Sequence, residues 1–108
     1  MNKFQYRAQI NACLRKALNR YYSSSGITQE KLAEKLEVSS KACGDLLNGK
    51  YGFSIFSAIS LFLLLPIPES LFLLKEVCTI ILSANEEIAQ KRRRSLKQAS
   101  ELQDPNRV

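Results

Sequence analysis

The side chains in this chain that could carry out chemistry are mainly basic, and several that most enzymes need are missing. The 108 residues include 16 Lys or Arg, 10 Asp or Glu, three Cys and no His. Without histidine, no catalytic group can relay protons through an imidazole, and the commonest zinc sites are excluded. No phosphate-cradling glycine loop, metal-ligand spacing or nucleophile–base set is present in the sequence either. These features favour a binding module over an enzyme, with no cofactor and no small-molecule ligand expected.

Positive charge is concentrated at the two ends of the chain. The net charge is +5 over residues 1–27, zero over 28–51, −3 over 52–90 and +4 over 91–108. Polyanions are the natural partners of such ends, with nucleic acid first and an anionic membrane surface second. The densest cluster comprises Lys91, Arg92, Arg93, Arg94 and Lys97. This cluster could contact flanking phosphates, bind an acidic partner or be a solvated tail.

We expect neither membrane insertion nor export. In the apolar region 53–82, a stretch such as Leu61 to Ile67 is far short of the roughly 20 residues that a spanning helix needs. Basic residues interrupt every candidate signal-peptide core near the N-terminus. Cys13, Cys43 and Cys78 are widely spaced and odd in number, which is typical of reduced core cysteines in a cytoplasmic protein.

The spacing of apolar residues predicts helices and almost no strand. We expect an all-α fold with helices over about residues 2–22, 29–36, 39–48, 55–65 and from 69 to between 89 and 95. Thr28, Ser39 and Ser54 are the expected N-caps of the middle three helices. The corresponding organisation is a core at 1–66, a C-terminal oligomerisation helix at 67–95 and a flexible basic and polar tail at 96–108.

Two short helices separated by a tight turn form the most specific pattern in the chain. Helices 29–36 and 39–48 bury little alone, so they need a small residue where they cross, and Ala33 is the candidate. The shared apolar wedge would contain Leu32, Leu36, Val38, Cys43 and Leu46. An ordinary helical hairpin could use the same spacing.

The runs from Ile27 to Ser40 and from Asp45 to Lys50 resemble the helix-turn-helix of the Cro/CI-type, lambda-repressor-like (XRE) family. The motifs that carry the resemblance are Thr-Gln at 28–29, Ala-Glu at 33–34, Val-Ser-Ser at 38–40 and Asn-Gly-Lys at 48–50. The resemblance covers roughly residues 10–65. It implies a five-helix lambda-repressor-like DNA-binding domain with double-stranded operator DNA as its partner.

The resemblance also implies which residues contact DNA. Helix 39–48 would enter the major groove, and the positions that match base-contacting residues are Ser39, Ser40, Lys41 and Asp45. The positions that match phosphate-contacting residues are Gln29, Asn48 and Lys50. Lys41 could donate to guanine and Asp45 could accept from cytosine. Alternatively, Asp45 could pair with Lys41 one turn away, and Asn48-Gly49 could serve only as a helix C-cap.

Two residues depart from the family pattern. Glu37 occupies the turn position that usually holds glycine, and it would need a positive φ or a rearranged turn at a cost of about 1 kcal/mol or more. Gly44 lies inside a predicted helix, where glycine costs about 0.5–1 kcal/mol relative to alanine.

The last two helices carry more apolar residues than one core of this size needs. A second apolar face must stay in water or meet a partner, so we expect a homodimer built mainly on the fifth helix, with the fourth as a further candidate surface. The expected interface residues are Leu71, Leu74, Val77, Cys78 and Ile81. A monomer that buries this face internally is the alternative.

Taken with the resemblance, these patterns predict a sequence-specific transcription regulator, a repressor from a phage, mobile element or toxin–antitoxin operon. Two alternatives stay open. One is a transcription activator similar to phage CII, and the other is a protein-interaction module on the same helical scaffold that does not bind DNA.

Overall fold

The computed structural model describes residues 3–103, with side chains described for residues 4–96. The chain forms five helices: α1 (Lys3–Ser25), α2 (Gln29–Leu36), α3 (Ser40–Asn48), α4 (Ile55–Leu64) and α5 (Ile67–Gln103). Residues 3–103 contain no strand. The prediction of an all-α fold with five helices is therefore confirmed.

Hydroxyl side chains begin the three middle helices, as the sequence predicts. Thr28 Oγ1 accepts a hydrogen bond from the Lys31 amide at 3.2 Å. Ser39 Oγ accepts from the Ala42 amide at 3.1 Å, and Ser54 Oγ accepts from the Ser57 amide at 3.1 Å. Each bond satisfies one of the amides that a helix start leaves without an intrahelical partner.

The core lies between α1, α2 and α3 on one side and the adjoining parts of α4 and α5 on the other. α2 packs against α3 and α4, whereas α1 packs against α3, α4 and α5. Ala33 is buried, which lets α2 and α3 approach closely. The buried apolar residues are Leu14, Leu18, Leu32, Ala33, Leu36, Cys43, Leu46, Leu61, Leu65, Leu73 and Val77.

The fifth helix extends further towards the C-terminus than predicted. It begins at Ile67, the first residue of the predicted oligomerisation helix, and its first turns place Leu73 and Val77 in the core. It continues to Gln103, through residues that the sequence assigned to a flexible tail. Residues 96–103 contain no Gly or Pro and are mostly good helix formers, which explains the extension. The rest of that tail, 104–108, lies outside the described residues.

The protein is elongated because α5 extends beyond the core. The principal extents are 72 × 28 × 18 Å, and the 37 residues of α5 span about 55 Å at the rise of an α-helix. The Tyr6 hydroxyl donates to the Glu87 carboxylate, which ties the beginning of α1 to the middle of α5. This hydrogen bond is the largest of the effects that lower the pKa of Glu87 to about 2, and the nearby Lys91 ammonium lowers it further.

The three cysteines are free thiols in different environments. Cys43 is buried and Cys13 is half-buried, in line with the expected core positions, and burial raises the pKa of both thiols. Cys78 is exposed, so the expectation of a core residue is wrong there. Val77 next to it fills the core position, and Cys78 lies about 100° further around the helix. In the described part of the chain, no helix combines the length and apolar content needed to span a membrane.

Candidate nucleic-acid interface

The beginning of α3 presents a polar surface to solvent. Cys43 and Leu46 anchor the inner face of this helix in the core, and Lys41, Asp45 and Asn48 follow the one-turn spacing of its outer face. Lys41 and Asn48 are exposed and Asp45 is half-buried. The amphipathic pattern of α3 thus brings three of the predicted DNA-contacting residues onto one side of one helix.

Ser39 and Ser40 lie at the very start of α3, and both are exposed. The Ser39 hydroxyl already accepts the cap hydrogen bond from Ala42, so it retains its O–H as a donor and one further lone pair. Ser40 offers a solvent-facing hydroxyl, while its backbone carbonyl accepts a hydrogen bond from another helix. Both residues can therefore still bond to a base edge or a phosphate.

The alternative of a salt bridge between Lys41 and Asp45 is not observed. Within residues 4–96, no ion pair joins these two side chains, although they lie one turn apart. The Lys41 ammonium is consequently free to donate to an external acceptor. The Asp45 backbone carbonyl accepts from the Lys50 amide at 2.9 Å, which is part of the C-terminal cap of α3.

Gln29 connects the start of α2 to the start of α3. Its Nε2 atom donates to the Ser40 carbonyl oxygen at 2.9 Å, while the second N–H of the amide remains available. The sequence predicts a phosphate contact for Gln29. It does not predict this hydrogen bond, which we call the Gln29 strap, because the distance between α2 and α3 cannot be read from the sequence. The amide can perform both roles only if its second N–H points to the phosphate.

The Gln29 strap explains why a glycine occurs inside α3. A Cβ atom built on Gly44 would lie 3.0 Å from Gln29 Nε2, closer than the 3.4–4 Å of ordinary contacts. Any larger residue at position 44 would displace the amide or the helix. The helix-propensity cost of Gly44 is therefore offset by room for the strap.

The turn between α2 and α3 adopts the strained conformation that the sequence requires. Glu37 has φ 58° and ψ 41°, in the left-handed region, and its amide bonds back to carbonyls in the last turn of α2. Of the two expected alternatives, a positive φ or a rearranged turn, the structure shows the positive φ. Glu37 is exposed, so its side chain extends into solvent without a clash in the core.

The end of α3 is held by α1 through polar contacts. Asn19 Nδ2 donates to the Leu47 carbonyl at 3.0 Å. Gly49 caps the helix at φ 77°, and a Cβ there would lie 2.7 Å from Nη1 of Arg15, so the guanidinium packs directly on the glycine backbone. Neither contact follows from sequence spacing, because α1 and the end of α3 are distant in the chain.

Arg15 and Lys50 form a basic edge beside this cap. Asn48 and Lys50 are exposed on either side of Gly49, and the Lys50 ammonium lies 5.6 Å from the centroid of the Tyr51 ring. Since Asn48 and Lys50 are the predicted phosphate contacts, the half-buried Arg15 adds a third donor to the same edge. The C-cap role of Asn48-Gly49 and an external contact by Asn48 and Lys50 are compatible.

The basic cluster at 91–94 is not brought to α3. It lies far along α5, where Lys91 pairs with Glu87 at 3.6 Å and Arg92, Arg93 and Arg94 are exposed. The side chain of Lys97 lies outside the described residues. The cluster is thus a separate basic surface.

Four of the five predicted dimer residues are exposed, and one is not. Leu71, Leu74, Cys78 and Ile81 are exposed on α5, with Leu71 at 60%. Val77 is only 9% exposed and packs in the core of the protomer, one turn after Leu73 on the same face. Val77 is therefore removed from the predicted interface.

Two other features bear on small ligands. A groove of about 480 Å³ lies between α1 and α5, with Tyr21 and Phe72 in its apolar wall and Lys16 and Glu69 among its charged residues. No α3 residue lines it. Over the described residues, no group of His, Cys, Asp and Glu side chains could hold a metal ion.

Comparisons with protein-family models, with curated proteins and with solved structures find no match to this chain.

Proposed function

We propose that the protein is a sequence-specific double-stranded DNA-binding transcription regulator, a repressor of Cro/CI type from a phage, mobile element or toxin–antitoxin operon. The observation that carries the proposal is the outer face of α3, with Lys41 free of any ion pair within the described residues. A short helix that exposes its first turn can enter a major groove about 12 Å wide. The core packs against the inner face of α3, and hydrogen bonds from Gln29 and Asn19 hold its first and last turns.

Base contacts come from the first two turns of α3. Lys41 donates to O6 and N7 of a guanine, the commonest specific contact in the major groove. Ser40 can donate or accept at either purine. Asp45 accepts from a cytosine N4 amino group, since a carboxylate near phosphates is unfavourable without such a donor. Ser39 contributes the hydroxyl donor that its cap bond leaves free.

Phosphate contacts come from the two ends of the motif. Gln29 lies at the N-terminus of α2, where backbone amides and the helix dipole favour an anion. Asn48 and Lys50 lie at the opposite end of the motif beside Arg15. Such contacts position a protein on the duplex without specifying sequence.

A homodimer formed through α5 would give the protein two reading helices. With two-fold symmetry, each α3 could occupy one half-site of a pseudopalindrome, with about 34 Å between half-site centres. This spacing is the geometric requirement that the dimer must meet.

Selection of bound sequences from random DNA tests the proposal, with purified protein at physiological salt. An inverted repeat is the expected result. Lys41→Ala should relax the preference at one base pair and cost about 1–3 kcal/mol there. Lys16→Ala, which removes the same charge from the groove between α1 and α5, away from α3, is the matched control and should leave the sequence preference unchanged. Gln29→Ala should weaken binding more evenly across sequences, and Lys50→Ala should in addition reduce the salt dependence by about one counterion per protomer.

Other outcomes of the selection identify the alternatives. A direct repeat would favour an activator similar to phage CII. The absence of any preference over random DNA would refute DNA regulation and leave a protein-interaction module. That second candidate is favoured by one observation, which is the exposed apolar surface of α4 formed by Ile55, Phe56, Ile59 and Leu63.

A further inference from the structure

The fifth helix carries two apolar faces, and the core uses only one of them. Leu73 and Val77 are buried in the core, and Ile80 and Ala84 continue this inner face as half-buried residues. The residues that directly follow these four lie about 100° further around the helix. They are Leu74, Cys78, Ile81 and Asn85, and they belong to an outer face that has no partner within the described protomer. The outer face consists of Ile67, Leu71, Leu74, Cys78, Ile81, Asn85 and Ile88, all exposed.

The spacing of the outer face is that of a coiled coil. Its intervals are four, three, four, three, four and three residues, so its members alternate between the d and a positions of three consecutive heptads. The apolar members retain between 40% and 75% of their surface exposed. If α5 packed only in the protomer's own core, it would need one apolar face and not a second one with heptad spacing.

We propose that two copies of α5 form a parallel, in-register, two-stranded coiled coil over Ile67 to Ile88. This inference specifies the geometry of the dimer in the proposed function, and it does not depend on DNA binding. The second copy is the occupant that fits, because a heptad face is complementary to another face of the same spacing.

The seam of this coiled coil, which is the outer face from Ile67 to Ile88, is large enough for a dimer, and its area determines how stable the dimer is. The 22 residues of the seam span about 33 Å along the helix. Position g already packs in the core, so only the a, d and e positions are available, and they cover roughly 16 Å of the helix circumference. Each protomer therefore buries roughly 500 Å², and the dimer about 1,000 Å², which is near the lower limit for a specific interface. We expect a dimer whose population depends on protein concentration.

Asn85 determines the direction of the two helices. It is exposed at an a position, and no hydrogen bond of its side chain is observed within the described residues. In a parallel, in-register pair, Asn85 meets Asn85 of the second copy, and the two amides can bond to each other. In an antiparallel pair centred on the same seam, it would face Leu71 and leave a buried amide unpaired.

The basic end of α5 limits the length of the coil. Arg92 occupies the next a position after Asn85, and Ser95 occupies the next d position. Like charges that face each other oppose pairing, so the seam ends at Ile88 and the two clusters at 91–94 lie side by side at one end. At the other end, both protomers present their helix-turn-helix units on the same side of the coil.

Disulfide trapping tests this geometry in the full-length protein without DNA. Oxidised glutathione serves as the oxidant, so two protein thiols form one disulfide while glutathione disulfide is reduced to two thiols. The wild-type protein should cross-link through Cys78, and Cys78→Ser should abolish the covalent dimer although Cys13 and Cys43 remain. Ile88→Cys in the Cys78→Ser background should restore it. Thr79→Cys in that background, an exposed position off the seam, is the matched control and should stay monomeric on a denaturing gel.

Each alternative result has a defined meaning. Cross-linking at Cys78 without cross-linking of Ile88→Cys would overturn the parallel direction, because in a centred antiparallel pair two residues at position 88 lie about 30 Å apart. The coiled coil would be overturned if position 79 cross-linked as efficiently as Cys78. It would also be overturned if sedimentation showed only monomer at the highest protein concentration used. Successful trapping together with failed operator selection would refute only DNA regulation, whereas the reverse result would refute only the coiled coil.

Discussion

The contact between Gln29 and Gly44 makes a quantitative prediction about how α3 is held. Gly44→Ala adds a methyl group 3.0 Å from Gln29 Nε2, so the amide must move by a few tenths of an ångström to regain an ordinary contact distance. That movement lengthens or breaks the 2.9 Å hydrogen bond from Gln29 to the Ser40 carbonyl.

Two opposing free energies decide the outcome. Alanine is favoured over glycine inside a helix by about 0.5–1 kcal/mol. The loss of one intramolecular hydrogen bond, here a solvent-exposed one, costs about 0.5–1.5 kcal/mol. In the wild-type background these terms nearly cancel, so we expect the free energy of unfolding to change by less than about 0.5 kcal/mol. In a Gln29→Ala background, where no amide is present to displace, Gly44→Ala should stabilise the fold by the full 0.5–1 kcal/mol.

Urea denaturation of the four proteins of this double-mutant cycle provides the measurement. The expected coupling free energy between positions 29 and 44 is about 1 kcal/mol, with m-values unchanged across the set. Ala42→Gly, two residues before Gly44 and therefore about 200° around α3 from it, is a control that should show the same helix cost in both backgrounds. Equal stabilisation by Gly44→Ala with and without Gln29 would refute the idea that the strap dictates glycine at position 44.

Two further predictions concern the turn and the contact between α1 and α5. Glu37→Gly should stabilise the fold by up to about 1 kcal/mol, because glycine adopts φ 58° without strain, whereas Glu34→Gly in the interior of α2 should destabilise it by a similar amount in thermal or urea unfolding. The hydrogen bond from Tyr6 is the largest of the effects that lower the pKa of Glu87 from its ordinary value of 4.5 to about 2, so the stability from this carboxylate is present above pH 4.5 and is lost as the pH falls towards 2. Tyr6→Phe should raise the pKa of Glu87, measured from the carboxyl carbon shift by NMR, and Tyr51→Phe should leave it unchanged; a Glu87 pKa that does not respond to Tyr6→Phe would contradict this assignment.

The helices and their caps could be predicted because they depend on local chemistry. Thr28, Ser39 and Ser54 each bond to an amide three residues away, and such bonds depend only on nearby sequence. The positive φ of Glu37 was one of two alternatives that the family resemblance implied for a turn position usually held by glycine. The low apolar content of residues 96–108 predicts a flexible tail, whereas α5 continues to Gln103 because residues 96–103 contain no helix breaker.

The polar contacts that fix α3 could not be predicted, because they join residues whose distance depends on packing. Gln29 reaches Ser40, and Asn19 reaches Leu47 across 28 positions of sequence. The burial of Val77 was missed for a related reason. Two apolar faces one residue apart on α5 look alike in sequence, and only the position of α1 decides which one enters the core.

The arrangement around α3 has a consequence for how variants of the candidate interface should behave. Its inner face contributes two buried side chains, Cys43 and Leu46, so the core alone fixes the tilt of a nine-residue helix weakly. Gln29 holds its first turn, and Asn19 holds its last turn with Arg15 packed on the adjacent cap. Loss of one polar contact should therefore tilt α3 without unfolding the domain.

A tilt would change DNA binding differently from the loss of a base contact. Asn19→Ala removes no group that faces the proposed DNA, yet it should weaken binding at every position of the operator, because all side chains of α3 move together. Lys41→Ala should instead weaken discrimination at one base pair and leave the rest of the site unchanged. Comparing the sequence preferences of these two variants at each base pair distinguishes an effect on helix orientation from the loss of a direct contact. If Asn19→Ala changed the preference at only one position, the role of α1 in orienting the helix would be refuted.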